Sequence, residues 1–279
     1  MTGAEPVLVA LHGSTEDSDE LAEELATGGV DVLAEAIGRR LGAHPHRIGP
    51  AASTQGRLLE AGGQVEDALN AGALPVIVAG DGAIALGTLP TVARLEPHAR
   101  VLWLDAHAAF HTPETKYGAS LGEMALSGAC GMWESGISGS VPGERVVLCG
   151  VRELDDPQRE GLEAGELTVL GLSRELIFLL EEALEGDPVY VHLDVDVLDP
   201  ETMPVSHAAR DGAGFDENGL LVLLDAVGES SEVIGVEVTG FEILDGSPEA
   251  TVLAADLIAG ALAPLIVGGG SFEDELRAS

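Results

Sequence analysis

The chain has 279 residues, 46% of them hydrophobic, which predicts one large buried core. Its formal net charge of −35 excludes nucleic acid and anionic membranes as expected partners, because both are polyanions. Two cysteines make no disulfide framework, and we identify neither a signal-peptide pattern nor an apolar run of membrane-spanning length. These features predict a cytoplasmic protein.

Short apolar strands alternate with amphipathic helices about eight times along the chain. The predicted strands are 6–11, 74–80, 100–104, 145–150, 167–170, 189–197 and 233–238. The predicted helices are 30–41, 57–70, 81–87 onward, 119–130, 173–184, 216–227 and 249–262. No linker interrupts them, so we expect a single domain over 1–279 with a flexible acidic tail at 268–279. The alternation predicts a parallel sheet with helices on both faces, although a closed barrel would show the same pattern.

The strand expected over 189–197 carries polar side chains at every second position. His192, Asp194 and Asp196 alternate with valine and leucine, which places them on one face of an extended strand. Carboxylates stacked on one face repel each other unless a cation or a shared proton lies between them. Asp199-Pro200 then ends the strand. The pattern predicts a metal site at the carboxyl end of this strand.

A second apolar strand, 100–104, runs directly into Asp105-Ala106-His107. Asp105 and His107 are two residues apart and offer an oxygen and an imidazole nitrogen to the same side. Three carboxylates and one imidazole suit manganese or a similar divalent cation better than copper or a thiolate-bound zinc. The two stretches together therefore predict one shared metal site.

These motifs occur in the order found in the ureohydrolase family, which includes arginase, agmatinase and formimidoylglutamase. The resemblance extends from about residue 76 to the last helix and rests on five segments of this sequence. They are Gly80-Asp81, Asp105-Ala106-His107, His111-Thr112-Pro113, Gly150-Val151-Arg152 and 194–200 (Asp-Val-Asp-Val-Leu-Asp-Pro). The resemblance implies a three-layer α/β fold, a two-manganese site, and hydrolysis of a guanidino C–N bond.

The sequence departs from the family pattern at several functional positions. A metal-binding histidine or cysteine is replaced by Gly82, and a metal-binding aspartate by Ala109. The position of the proposed proton shuttle falls near Gly122, and that of the guanidinium-binding glutamate falls at Gly240. At a fifth position, His111 replaces an asparagine that contacts the substrate carboxylate.

The two metal sites of the family keep different numbers of ligands in this sequence. The resemblance implies that the second-metal site keeps four ligands: Asp105, His107, Asp194 and Asp196. The first-metal site keeps only the two shared carboxylates, so we expect at most one Mn2+ per chain. A second ion would require substitution by His12, His111 or Glu242.

Two residues are expected to act on the substrate. His111 is a candidate general base and substrate contact because an imidazole titrates near neutrality, although an ordinary loop histidine would look the same. Asp155 lies at the position that the resemblance assigns to the amino acid end of the substrate, although it could equally be a surface acid that opens a helix.

Three functions remain open from sequence alone. The first is a diverged metallohydrolase for a small cationic or zwitterionic guanidino or amidino compound, such as an N-hydroxyguanidine, with poor activity on L-arginine. The second is a non-catalytic relative that regulates or binds a partner. The third is a new metal-assisted reaction that uses His111 and His207, with specificity set by the loop 203–215. A homo-oligomer is compatible with each.

Overall fold

The computed structural model describes residues 4–13, 20–205, 214–243 and 248–267. Within them, eight strands form one sheet in the order β2-β1-β3-β8-β7-β4-β5-β6, and every neighbouring pair is parallel. The strands are β1 (Pro6–Leu11), β2 (His46–Ile48), β3 (Leu74–Ala79), β4 (Arg100–Leu104), β5 (Val146–Cys149), β6 (Thr168–Leu170), β7 (Val189–Asp194) and β8 (Val233–Thr239). The predicted parallel sheet is confirmed as an open sheet with β2 and β6 at its edges. The three-residue strand β2 lies in a stretch that the sequence did not mark as a strand.

Within the described ranges, eight helices cover both faces of the sheet. They are α1 (Glu20–Leu41), α2 (Thr54–Asn70), α3 (Ala85–Leu95), α4 (Ala125–Ala129), α5 (Asp156–Ala164), α6 (Leu176–Leu184), α7 (Glu217–Ser230) and α8 (Pro248–Ile266). One apolar core joins one face of the sheet to α1, α6, α7 and α8, and a second core joins the other face to α2, α3, α4 and α5. The predicted three-layer architecture is therefore confirmed.

The central strand β7 is shorter than the alternating pattern predicts. It ends at Asp194, and residues Val195–Val197 form a 3-10 turn in which the Asp194 side chain accepts a hydrogen bond from the Asp196 N–H at 3.0 Å. The expectation that Asp196 shares a strand face with His192 and Asp194 is wrong. Val195 and Val197 are both buried in the turn, so the apolar alternation continues after the ladder has ended.

Two predicted helices also differ from the structure. The stretch 119–130 contains a 3-10 turn, Gly122–Met124, followed by the single short helix α4. The helix expected from Ser173 begins at Leu176, and Glu175, which precedes it, makes no side-chain cap. In both cases the predicted helix begins too early, because the turn residues before it have the spacing of apolar and capping residues that is typical of a helix.

Helix α8 is long and apolar enough by length and composition to cross a membrane, contrary to the expectation from sequence. It packs against α1 and α7, and half of its most apolar window is buried inside the protein. A core helix of a globular protein meets the same criterion. The predicted tail 268–279 and the loop residues 206–213, with His207, lie outside the described residues.

Candidate metal centre

The candidate site lies in a cavity of about 850 Å³ at the carboxyl end of the central strands. In parallel α/β sheets this is the edge at which ligands bind, because the loops that follow the strands converge there. The loops after β3, β4, β5, β7 and β8 all contribute. Cavity-lining residues from the predicted set are Gly82, Asp105, His107, Ala109, His111, Gly122, Asp155, Asp194, Asp196 and Gly240.

Three of the four predicted metal ligands form a compact donor group. One ligand atom from each of Asp105, His107 and Asp196 lies within 4.8 Å of the others. His107 Nδ1 is 2.7 Å from Asp196 Oδ2 and 3.6 Å from Asp105 Oδ1. The Asp194 carboxylate lines the same cavity but is not part of this compact group.

Neighbouring groups fix the orientation of each carboxylate. Asp105 Oδ2 accepts a hydrogen bond from Trp103 Nε1 at 3.1 Å, and its Oδ1 accepts one from the His107 N–H at 2.6 Å. Asp194 Oδ2 accepts a hydrogen bond from the Thr239 hydroxyl at 2.9 Å. Asp196 Oδ1 accepts one from a backbone N–H in the loop after β4, at 3.1 Å. The carboxylates are thus held in place by hydrogen bonds that do not require a bound ligand.

Arg152 holds the turn that carries Asp196. Its guanidinium donates to the backbone oxygens of Asp196 at 2.7 Å, Val197 at 2.8 Å and Leu198 at 3.3 Å. Gly150, two residues earlier, has a positive φ of 95°, and a Cβ there would lie 2.4 Å from the Val197 side chain. A glycine is therefore required for the chain to pass this close to the turn. These contacts give a physical reason for the Gly150-Val151-Arg152 motif.

The donor group has the properties of a cation site. Asp196 Oδ2 is buried, and His107 Nδ1 lies 2.7 Å from it at the distance of an ion pair. Burial, followed by the negative charge of Asp196, raises the pKa of Asp105 to about 7. Hydrogen bonding to Asp105 and then to Asp196 raises the pKa of His107 to about 11. The cluster therefore attracts positive charge, which a divalent cation bound by oxygen and imidazole nitrogen would supply.

The two positions that lack a ligand side chain also face this cavity. Gly82 lies in the first turn after β3 and has no positive φ. Ala109 has a φ of 48°, a left-handed conformation that aspartate tolerates better than alanine. Of the substitutes considered from sequence, His12 contacts Asp31 at 3.1 Å, and neither His12 nor Glu242 lines the cavity.

The structure brings His111 and Asp155 together, a contact that was not predicted from sequence. His111 is buried in the cavity wall, and its Nε2 lies 3.4 Å from Asp155 Oδ2. Asp155 is half exposed, and it also caps α5 by accepting a hydrogen bond from the Gln158 N–H at 3.0 Å. Both interpretations of Asp155 therefore have a structural basis, because one carboxylate caps a helix and contacts His111.

The sequence did not reveal the groups that support the donors. Trp103, Arg152 and Thr239 hold the carboxylates or the turn between them, and Glu237 holds His192 beneath the site. Trp103 was detectable, because it precedes Asp105 by two residues and therefore shares its strand face. The contacts of Thr239 and Glu237 depend on the pairing of β7 with β8, which no local pattern shows.

The fold and the donor group define an α/β protein with a candidate divalent-metal centre at the carboxyl ends of its strands. The model of the arginase family matches residues 41–263, and the chain belongs to that family. The N(omega)-hydroxy-L-arginine amidinohydrolase of Streptomyces lavendulae is 39% identical over 139 residues, which cover 50% of this chain and 51% of that protein. The arginase of Bacillus caldovelox is 34% identical over 157 residues, covering 50% of this chain and 52% of that protein.

The chain thus matches about half the length of these two relatives. Among solved structures, arginase from Bacillus cereus superposes with a TM-score of 0.80 at 20% identity, over 96% of this chain and all of that one. At that identity the likeness supports the fold alone. The predicted family and the arginase-like fold are both confirmed.

Proposed function

We propose that this chain is a metal-dependent hydrolase that cleaves a C–N bond in a small guanidino or amidino compound of the N-hydroxyguanidine type. The observation that carries the proposal is the group of Asp105, His107 and Asp196, whose donor atoms lie within 4.8 Å of one another at the wall of a large cavity. Without a metal ion, this group must hold extra protons, because the pKa of Asp105 is raised to about 7 and that of His107 to about 11.

The residues present fit one Mn2+ bound by Asp105, His107, Asp194 and Asp196. Their oxygen and imidazole donors match the preference of this ion, and no thiolate lies among the residues that line the cavity. When bound, the ion supplies Lewis-acid stabilisation of the negative charge that develops during hydrolysis. The chain itself keeps the donors in place through Trp103 and the other hydrogen bonds described above.

His111 and Asp155 act on the substrate in this proposal. The His111 imidazole, held near the Asp155 carboxylate, can accept or donate a proton at Nε2 within the cavity. The half-exposed Asp155 carboxylate favours a substrate that carries a positive charge, such as the ammonium group of an amino acid. The same proposal includes a small cationic or zwitterionic substrate. It also places the protein in the cytoplasm as a homo-oligomer.

The preference for an N-hydroxyguanidine is supported by two positions in the cavity wall that lack a carboxylate. Gly240 and Ala109 line it without offering a carboxylate that could anchor a guanidinium or hold a further ion. A guanidinium carbon is a poor electrophile, whereas a less delocalised N-hydroxyguanidine demands less activation. The relative from Streptomyces lavendulae is an N(omega)-hydroxy-L-arginine amidinohydrolase, and this supports the same substrate class.

The test is turnover by the manganese-loaded protein with N-hydroxy-L-arginine, L-arginine and agmatine. We expect hydroxyurea from the first compound and urea from the other two at far below about 1 per second, a low value for an enzyme. Asp196→Asn should abolish activity, while the exposed helix variant Glu163→Gln, which removes the same charge, should retain it. Equal turnover of L-arginine would refute the substrate preference.

A second candidate, a non-catalytic binding or regulatory partner, is favoured by one observation. Gly82, Ala109, Gly122 and Gly240 all line the cavity and leave it without the side chains that the resemblance assigns to catalysis. Such a protein would bind metal and ligand without turnover. Metal-dependent binding of N-hydroxy-L-arginine by calorimetry, with no product after prolonged incubation, would select this function over the hydrolase.

A further inference from the structure

Helix α2 carries a buried arginine, Arg57, with which no carboxylate of the described residues forms an ion pair. Arg57 is 7% exposed, and its Nε and Nη1 atoms are buried without a hydrogen bond. Arg100 is buried to the same degree, but its guanidinium donates to Asp187 and pairs with Glu185. Because a buried charge without a partner is costly, Arg57 is in the condition expected of a residue that binds an anion.

The Arg57 guanidinium packs against the loop that follows β1. Gly13 in this loop has a φ of 93°, and a Cβ built there would lie 2.2 Å from Nη2 of Arg57. Any other residue at this position would therefore displace the guanidinium, in addition to straining the left-handed backbone. The loop and the arginine side chain are thus fitted to each other.

The beginning of α2 adds to the positive potential of Arg57. The helix has 17 residues, Ser53 caps it, and Arg57 lies in its first turn. Helical side chains lean toward the N-terminus of their helix, which is the positive end of the helix dipole. Anions bind at such helix ends, and the guanidinium fork matches the spacing of carboxylate and phosphate oxygens. The two positive groups therefore favour the same kind of ligand.

The charge of the whole chain makes the unpaired state of Arg57 informative. The sequence contains 48 acidic residues, and exposed arginines such as Arg39, Arg47 and Arg94 each pair with one of them. Carboxylates are therefore abundant, yet none of the described ones pairs with Arg57. The net charge of −35 repels anions from the surface in general, so a bound anion requires a local site of this kind.

We propose that Arg57, the N-terminus of α2 and the loop at Gly13 form a binding site for one small oxyanion, a carboxylate or phosphate group. The site lies behind the wall of the metal cavity, because the Gly13 carbonyl oxygen is 3.5 Å from a Cβ built on Gly80, which lines that cavity. A bound anion pairs the buried charge and stabilises the loop after β1. The site contains none of the metal-binding or substrate-binding residues and does not depend on the proposed hydrolase activity.

The experiment measures thermal unfolding and calorimetric binding of the full chain, without added metal, in phosphate and in acetate. Sodium chloride keeps the ionic strength constant. We expect about one site per chain and a saturable rise in Tm, of about 5 °C at a hundred times the dissociation constant. A response to phosphate alone identifies a phosphate site, and a response to acetate identifies a carboxylate site.

Three variants assign the effect to Arg57. Arg57→Gln should abolish oxyanion binding and, without oxyanion, should be at least as stable as the natural protein, because it removes an unpaired buried charge. Arg94→Gln removes the same charge from an exposed residue of α3 and should respond to oxyanions like the natural protein. Arg57→Lys keeps the charge without the fork and should bind the anion about tenfold more weakly. Circular dichroism checks that each variant is folded.

Two results would overturn the site. One is an equal rise in Tm for the natural protein and for Arg57→Gln, or for Arg57→Lys should the glutamine variant not fold. The other is a natural protein that does not respond to either oxyanion. In that case the combined variant Glu16→Gln, Asp17→Asn and Asp19→Asn shows whether a carboxylate from the acidic sequence after Gly13 pairs with Arg57 instead, since removing it should create a response.

Discussion

Metal binding should release protons in a number that depends on pH. The perturbation is the addition of Mn2+ to the metal-free protein at pH 6 and at pH 8. Asp105 has a pKa raised to about 7, chiefly by burial, and His107 has a pKa raised to about 11, chiefly by hydrogen bonding to Asp105. Both side chains must lose their protons to act as ligands.

The size of the effect follows from these two pKa values. At pH 6 His107 is charged and Asp105 is about nine-tenths protonated. Binding of one Mn2+ should therefore release about two protons from these side chains. At pH 8 Asp105 is already ionised, and about one proton should be released, from His107. The apparent affinity should therefore rise about a hundredfold per pH unit near pH 6 and about tenfold per unit near pH 8.

The free energy of unfolding of the metal-free protein should fall as pH rises. A raised pKa means that the folded state holds the proton more tightly than the unfolded state. Asp105 destabilises the folded state increasingly as pH rises from 3.8, its usual pKa, to about 7, its raised pKa. His107 stabilises the folded state fully below pH 6.5, its usual pKa, and this stabilisation is lost as pH approaches its raised pKa of about 11. Both changes lower the stability of the metal-free protein as pH rises, and manganese should offset this loss.

Calorimetry in buffers with different ionisation enthalpies measures the proton count. His111→Gln, outside the donor group, is the matched control and should release the same number as the natural protein. A release of fewer than about one proton at pH 6 would refute the assignment of these pKa values to the metal ligands. Equal release at pH 6 and pH 8 would refute the raised pKa of Asp105 specifically.

Three further predictions concern single side chains. Arg152→Lys should lose hydrogen bonds to the turn and destabilise the protein by about 1–3 kcal/mol, measured by chemical denaturation, and an unchanged midpoint would contradict its role. Ala109→Asp, at a φ of 48°, should raise the melting temperature with manganese and lower it without, because the added carboxylate joins an acidic cavity. Asp155→Ala should cost about 1 kcal/mol by removing the cap of α5, whereas Asp155→Ser should keep the cap. Both Asp155 variants should raise KM for an amino acid substrate, and a normal KM in either would exclude a substrate contact.

The sequence predicted the sheet well because its inner strands β3, β4, β5 and β7 are buried on both faces and carry strong apolar signals, whereas the short, largely exposed β2 was missed. It misplaced Asp196 because the 3-10 turn after β7 buries Val195 and Val197, which extends the period of two beyond the strand. The end of the strand depends on the bond from the Asp196 N–H to the Asp194 carboxylate, and two aspartates two residues apart do not distinguish a turn from a strand. The local sequence pattern therefore located the motif correctly but predicted a strand where the backbone forms a turn.

The contacts of His192 were beyond the reach of sequence reasoning for a different reason. Its place on the polar face of β7 was predicted, but the significance of that place depends on Gly82 after β3 and on Glu237 in β8. These three positions meet only because β8 pairs with β7 and β3 lies beyond it in the strand order. A missing side chain can be identified along the chain, whereas contacts between strands depend on the register of the sheet.

The supporting contacts favour a protein that binds a metal ion over one that has lost it. A site that served only as a surface would gain nothing from burying Asp105, Asp194 and Asp196 together, since each buried charge costs stability unless it is paired. Here Trp103 and Thr239 orient the first two carboxylates, while the third lies 2.7 Å from His107 Nδ1. A bound divalent cation would replace the protons that Asp105 and His107 otherwise hold in this cluster. The missing side chains thus point to altered metal binding and substrate choice, rather than to loss of the metal.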